Sequence, residues 1–344
     1  MILNGQLPTS ITAAAQALQC GALLGLPTET VYGLAADAGN DAAVARIFEA
    51  KGRPANHPLI VHVASTQGVQ RFASHVPDFA QKLIDAFWPG PLTLILPRRA
   101  EVAAVAAGGQ NSVGLRCPSH PIAHAVLQSA EALGVFGVAA PSANLFGRVS
   151  PTTAAHVAGE FGDDLLIIDG GACDVGIEST IVDCTRAAPV LLRPGVLTPQ
   201  QLSEACGVAV ITPNTPDADA PRASGTLESH YAPAATVQLM TAADLQKAID
   251  AHANENVANN ADAVAHPTVA VWARSPVQVP AAKANQFICQ AMPTSAHDCA
   301  HQLFAQLRDF DAQGVAHIWV EIPPQTPEWD GVRDRLTRAA TPTR

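Results

Sequence analysis

Through residue 208, short apolar runs alternate with stretches of helical spacing. Residues 11–20 (ITAAAQALQC) predict a helix closed by Gly21, with a strand at 22–26. Asp41 stands where a helix over AAVARIFEA would take its cap. Runs rich in branched residues at 58–63 (PLIVHV), 91–97, 112–116, 135–140, 165–169, 179–184 and 190–193 predict strands, and 120–133 predicts a helix. Thr198-Pro199-Gln200-Gln201 is a capping box with proline at the first helical position, so a helix starts there. Helices interspersed with strands close in sequence predict an α/β fold, a mixed sheet covered by helices.

The pattern breaks at 209–232, where VITPNTPDADAPRASGTLESHYAP has no periodic apolar face and reads as a linker. A second alternating block follows: strand 235–240, helix 242–254, strand 268–273, helix 295–314, strand 315–322 and a closing helix over EWDGVRDRLTRAA. Residues 251–265 are Ala/Asn-rich and read as a loop or frayed helix. The expected organisation is one domain over 1–208, a linker over 209–232 and a smaller α/β domain with a parallel sheet over 233–344.

Composition narrows the class. With 48% hydrophobic and 15% charged residues, the chain has the means to fold. No uninterrupted apolar run reaches the ~20 residues of a membrane helix, and MILNGQLPTS lacks the basic start and apolar stretch of a signal peptide. Seven cysteines without a C-x-x-C pair read as reduced thiols of a cytoplasmic protein, not a disulfide frame or zinc site. A net charge of −10 argues against gripping nucleic-acid phosphates, so neither stable nucleic-acid binding nor membrane association is expected. Only residues 51, 82, 247 and 283 are lysine, so a lysine inside a motif is weighed individually.

Five segments carry candidate chemistry. LPTETVYGLAADAGN (26–40) follows a strand and precedes a helix, where α/β folds take ligands; its hydroxyls suit a pocket, and a polar turn explains them equally. In KGRPANHPLIVH (51–62), Lys51 and Arg53 either complement a helix end or hold a polyphosphate, with His57 and His62 flanking the strand. In NSVGLRCP (111–118), Arg116 follows a strand and can hold a carboxylate or make a surface ion pair. APSANLFGRVSPT (140–152) offers Ser142, Asn144 and Ser150, and Thr152 can cap the next helix, whose positive end suits an anion. GGACDVGIESTIVDC (170–184) and LLRPG (191–195) place Ser179, Thr180 and Arg193 at strand ends. P-loop, dinucleotide-binding and G-x-S-x-G fingerprints are absent.

Together, PTETVYGL, K-G-R-P with PLIVH, S-V-G-L-R-x-P, PSAN…G…SPT, GIESTIVD and LLRPG resemble, in order and spacing, the YrdC/Sua5 family of L-threonylcarbamoyladenylate synthases. The resemblance covers nearly all of 8–208, and SHYAP with the second block matches the long Sua5-type form. It implies a twisted mixed sheet followed by a smaller Rossmann-like domain. It implies a nucleotidyltransferase that condenses L-threonine, bicarbonate or CO2, and ATP into threonylcarbamoyl-AMP and pyrophosphate. The product feeds the tRNA threonylcarbamoyl transferase machinery that makes N6-threonylcarbamoyladenosine at position 37. By this resemblance Lys51 and Arg53 are catalytic and hold ATP with His57, Ser112, Ser142, Asn144, Ser150, Arg193 and Tyr231. Thr30, His62, Arg116 and Ser179 take threonine, and Mg2+ accompanies the triphosphate. The sequence departs from the family in two places: His57 stands where many relatives have asparagine, and Glu228 lies where many have a basic residue before HYAP. Two rival readings are an RNA-binding module, which the net charge opposes, and carbamoyl transfer of the hydrogenase-maturation type, whose zinc-binding cysteine pairs are absent.

Overall fold

The computed structural model describes residues 1–213, 220–225, 230–254 and 268–341; Glu228 and most of the Ala/Asn-rich stretch lie outside them. The chain divides into two compact units, Met1–Phe146 with Ser150–Thr226, and Gly147–Val149 with Leu227–Arg344.

In the first unit the elements run β1 (Ile2–Asn4), α1 (Pro8–Gln19), β2 (Leu24–Leu26), β3 (Gly33–Asp37), α2 (Asp41–Lys51), β4 (Ile60–His62), α3 (Val69–Phe72), α4 (Asp78–Phe87), β5 (Leu92–Pro97), β6 (Ser112–Arg116), α5 (Pro121–Ala132), β7 (Val138–Ala139), α6 (Ala154–Phe161), β8 (Leu166–Asp169), β9 (Thr180–Asp183), β10 (Val190–Arg193) and α7 (Pro199–Cys206). The strands form one mixed sheet in the order β1-β8-β2-β3-β7-β4-β6-β5-β9-β10. The pairs β1/β8, β2/β8, β4/β6 and β5/β9 are parallel and the others antiparallel.

Side chains alternate across a strand, so each sheet face collects every second residue. One face of the β4–β6–β5–β9 region presents Val61, Val113, Leu115, Leu92, Leu94 and Val182 to Ile47 and Phe48 of α2, Leu83 and Ile84 of α4 and Leu202 of α7. Each such large apolar side chain contributes roughly 1.5–3 kcal/mol by leaving water. The opposite face carries only a small apolar cluster, Ile60, Ile95 and Ile181. Between the polar ends of this face, Gly114 leaves room; a Cβ there would lie 3.2 Å from Ile95.

Local signals explain most boundaries, with corrections. Asn40, not Asp41, caps α2, its side chain accepting from the Ala43 N–H. Thr153, not Thr152, caps α6. The Thr198/Gln201 capping box forms as expected. The strand expected over 135–140 shrinks to Val138–Ala139. The polar segment after β2 contains β3, which turns back antiparallel onto β2. Residues 78–87 form α4 although no element was predicted there; Phe79, Ala80, Leu83, Ile84 and Phe87 have the helical spacing that would have revealed it. The edge strand β1 was also unpredicted.

The second unit contains β11 (Thr236–Met240), α8 (Ala242–Asn254), β12 (Val269–Ala273), β13 (Phe287–Ala291), α9 (Ala296–Ala312), β14 (His317–Glu321) and α10 (Asp330–Ala340). Its sheet, ordered β11-β14-β12-β13, is all parallel, as predicted, although β13 was not. Leu245 and Ile249 of α8 cover Val269, Val271 and Trp319. At the carboxyl ends of β12 and β14, a usual ligand crevice of parallel sheets, Glu321 accepts from the Arg274 and Ser275 backbone N–H groups at 2.8 and 2.7 Å and pairs with the Arg274 guanidinium at 3.0 Å. The protein's own carboxylate fills that position.

Candidate active site

The part of the opposite face of the first unit's sheet that α1 and α5, packed on Ala35 and Val138, leave uncovered, together with the loops at its rim, carries twelve of the thirteen candidate residues. His62 ends β4, Ser112 and Arg116 bound β6, and Ser179 immediately precedes β9. His62 and Arg116 are partners in the parallel β4/β6 register. A register shift between Leu191 and Arg193 turns Arg193 toward Ser179, a common use of an irregularity near a site.

Lys51 and Arg53 flank Gly52, whose left-handed φ of 62° ends α2 and turns the chain back. Lys51 is buried, and its Nζ donates to the Ser142 carbonyl at 2.6 Å and to the Asn144 carbonyl. It therefore does more than complement a helix end. Its partners are carbonyl oxygens rather than carboxylates, and burial, followed by the nearby Arg53 charge, pushes its pKa well below the lysine range. A negative charge brought close to it would favour its charged form.

Arg53 donates to the Pro58 carbonyl at 3.0 Å and to Ser224 Oγ at 3.3 Å. Arg193 donates through Nη1 to the Ser224 carbonyl at 2.9 Å and through Nε and Nη2 to the Ser179 carbonyl at 3.1 and 2.9 Å. Ser179 Oγ lies 2.8 Å from Thr93 Oγ1. Ser150 donates to the Glu178 carboxylate. The His57 ring meets Phe146 edge-on at 5.6 Å; burial, with Arg53 and Arg222 nearby, lowers its pKa and favours the neutral imidazole.

Ser224 thus bridges the two arginines, although it belongs to the stretch expected to be a linker. Ala223 packs on the Ile60–Ile95–Ile181 cluster, and Arg222 donates to the Gly108 carbonyl at 2.9 Å. Between this segment and Ser112 and Gly114 a volume of about 10 Å³ remains, on the order of one water position. Residues 222–224 therefore close over the middle of the face.

The other end is an ion-pair site. Thr28 Oγ1 donates to the Val31 carbonyl at 2.6 Å and accepts the Val31 N–H at 3.2 Å, a turn that presents Glu29 and Thr30. The Arg116 guanidinium donates to Thr30 Oγ1 at 2.7 Å and to the Gly90 carbonyl at 3.2 Å, and it pairs with Glu29 Oε1 at 2.7 Å. Both side chains of the pair are almost wholly buried. Glu29 was not among the expected residues; the signal available was a carboxylate inside an otherwise hydroxyl-rich motif. Burial raises its pKa, but Arg116 outweighs that and holds the carboxyl below its ordinary value.

His62 is pushed down to about 3 by burial and then by Arg116, so it is neutral at physiological pH. Because its folded pKa lies below the unfolded value of about 6.5, the unfolded state binds the extra proton as pH falls. Stability is therefore complete above that value and declines between about pH 6.5 and 3. The expected loss from His62 is on the order of 4 kcal/mol. Denaturant unfolding across this range should show a shallower slope for His62→Gln; an identical slope would contradict a buried neutral imidazole.

Tyr231 lies in the second unit. Its buried ring sits 5.3 Å from Phe304, with Arg335 5.5 Å from its face, on a backbone with φ of 63°. Ser112 and Arg116 stand four steps apart along β6, a span of roughly 13 Å. The face therefore joins a region rich in cationic donors to a buried Arg–Glu pair and can hold a polyphosphate beside an amino acid.

Comparisons with known proteins identify the family. A family model for Sua5, YciO and YrdC proteins, described as "Telomere recombination", matches residues 16–195. A second, described as "Threonylcarbamoyl-AMP synthase, C-terminal domain", matches residues 197–341. The chain is 46% identical over 230 residues to the threonylcarbamoyl-AMP synthase of Pyrococcus abyssi, an alignment spanning 66% of each chain. It is 35% identical to that of Schizosaccharomyces pombe, over 92% of this chain and 84% of the relative. The crystal structure of P. abyssi Sua5 complexed with L-threonine superposes with a TM-score of 0.85 at 35% identity, covering 99% of this chain and 97% of that one. The chain belongs to the Sua5/YciO/YrdC family.

Proposed function

We propose that this chain is a threonylcarbamoyl-AMP synthase, a nucleotidyltransferase that joins L-threonine, bicarbonate or CO2, and ATP and releases pyrophosphate. The observation that carries the reading is the shared face, where Arg116 and its neighbours sit on the same side of the sheet as Lys51, Arg53 and Arg193. Relatives named threonylcarbamoyl-AMP synthase and the threonine-bound P. abyssi structure support it. Functionally, residues 1–208 are the catalytic part, 209–232 the linker, and 233–344 an accessory domain.

Arg116 takes the threonine carboxylate, with Thr30, His62 and Ser179 completing that pocket. Once threonine carries its carbamate, a carbamate oxygen attacks the α-phosphorus and pyrophosphate leaves. Charge then grows on the phosphoryl oxygens, where Lys51, Arg53 and Arg193 are already fixed in a low-dielectric setting. Ser112, Ser142, Asn144, Ser150 and His57 line the nucleotide side. Carbamates decompose in water, so a face closed by residues 222–224 protects the intermediate. Among the described residues no three His, Cys, Asp or Glu side chains gather as a metal cage. The donor set is cationic and suits phosphate oxygens. Mg2+ fits as an ion carried by the triphosphate with its own waters, screening charge on the phosphates.

The product, a reactive mixed anhydride, must be consumed by a threonylcarbamoyl transferase acting on tRNA. Free thiols at all seven cysteines and no described helix long enough to cross a membrane accord with a cytoplasmic setting. Incubation with ATP, Mg2+, L-threonine and labelled bicarbonate should yield labelled threonylcarbamoyl-AMP and stoichiometric pyrophosphate. Pyrophosphate without labelled adenylate would refute the reading. So would tight, salt-sensitive binding of duplex RNA with no ATP turnover.

A further inference from the structure

Threonine arrives with its α-nitrogen protonated, and an ammonium has no lone pair to attack carbon. If the chain is a synthase, a premise on which the role of Glu29 rests, a proton acceptor must stand beside the amino-acid carboxylate. The groups facing this position are Glu29, Arg116, His62, Cys117 and Cys173. Burial keeps both thiols protonated, pushing Cys117 up to about 11 and Cys173 higher still. His62, buried beside Arg116, is a neutral imidazole and carries no charge to draw an ammonium, and Arg116 is a cation. Glu29 is the anion of the set. The backbone N–H groups of Glu29 itself and Ser119 face its carboxylate, but neither oxygen closes an aligned hydrogen bond, and both oxygens are buried.

The pair also has the right shape. A carboxylate and a guanidinium 2.7 Å apart present opposite charges within the span of one amino-acid head group. We propose that Glu29 receives the α-ammonium of the bound amino acid and takes its proton, releasing the free amine that is carbamoylated.

The reaction balances. One ammonium proton passes to a Glu29 oxygen. The amine lone pair attacks the carbon of bicarbonate, and hydroxide departs with the second N–H proton as water, leaving the carbamate. Glu29 returns its proton to solvent when the product leaves. Substrate binding itself arms the carboxylate. Alone with Arg116, Glu29 is held ionised; once the substrate carboxylate shares that guanidinium, the opposing effect of burial gains weight and Glu29 binds a proton more readily.

Glu29→Gln keeps an acceptor for Arg116 but not the base. With this variant only free amine in solution reacts, so kcat/KM for threonine should fall at least about tenfold at pH 7 and recover about tenfold per pH unit on raising pH toward the amine pKa. The unaltered chain should stay nearly flat, and half-saturation by ATP should be unchanged. A uniform loss at every pH, or no loss, would overturn the proposal and leave Glu29 as a prop for Arg116. A second measurement needs no variant. An analogue of threonine with hydroxyl in place of the amine should bind the unaltered chain at least tenfold more weakly; equal affinity would overturn the assignment. Failure of the unaltered chain to form the adenylate would instead refute the synthase reading, so the two failures are distinguishable.

Discussion

Replacing Arg116 with alanine is expected to raise the half-saturating concentration of threonine by about 100-fold or more while leaving that of ATP nearly unchanged. Arg116 spends its donors on Glu29, Thr30 and the Gly90 carbonyl, so it is held rigidly where a substrate carboxylate would arrive. Alanine removes that partner, and it also strands Glu29. Breaking a buried ion pair by deleting one member costs about 3–5 kcal/mol, so the variant should also melt earlier. Without the guanidinium, burial is opposed only by the backbone N–H groups of Glu29 and Ser119, so Glu29 should take up a proton at higher pH. Arg116→Lys should not restore affinity, because an ammonium cannot serve Thr30, Gly90, Glu29 and a carboxylate through one planar fork. Initial rates with each substrate varied in turn provide the check. A rise in the ATP requirement with threonine unaffected would mean the two subsites are exchanged.

Lys51→Met should lower turnover about 10²–10³-fold, the usual effect of removing one preorganised donor from developing charge. Stability should move the other way or stay level. The ammonium is buried against two carbonyl oxygens, and replacing such a charge with a thioether of similar length relieves a desolvation cost. Turnover and thermal midpoints measured side by side test both halves, with exposed Lys82 as the reference substitution. Equal activity in the two variants would return Lys51 to a helix-end role. A large loss of stability would mean the buried ammonium is compensated more fully than its two carbonyl partners indicate.

The two expectations draw on different kinds of information. That Lys51 and Arg53 belong to a functional motif was legible from their neighbours, as was the placement of Arg116 at a strand end. Burial of Lys51, which gives the expected effect its size, was not. A residue closing a helix reads the same whether its side chain reaches water or lies against the 142–144 loop. The cap of α2 shows a similar limit on a small scale: Asn40 and Asp41 are both good capping residues in adjacent positions, and only the path of the chain selects Asn40.

The partners of Glu29 and Ser224 were illegible for a stronger reason. The Arg116–Thr30 bond joins residues 86 apart and the Arg53–Ser224 bond residues 171 apart, and no local pattern specifies such partners. Ser224 lies in a segment without apolar periodicity, which composition marks as irregular. What covers the sheet there is decided by Ala223 meeting Ile60, Ile95 and Ile181, a contact between distant stretches.

By itself, the order of residues determined most of the strands and helices and the Thr198–Gln201 capping box, because alternation, helical spacing and side-chain bonds to nearby backbone groups are short-range. It also determined which chemical groups are available. Folding alone decided that these groups come together, that Lys51, Arg116 and Arg193 are buried there, and which carboxylate meets which guanidinium. Dielectric environment and charge pairing arise from atoms adjacent in space, and here most of those neighbours are far apart along the chain.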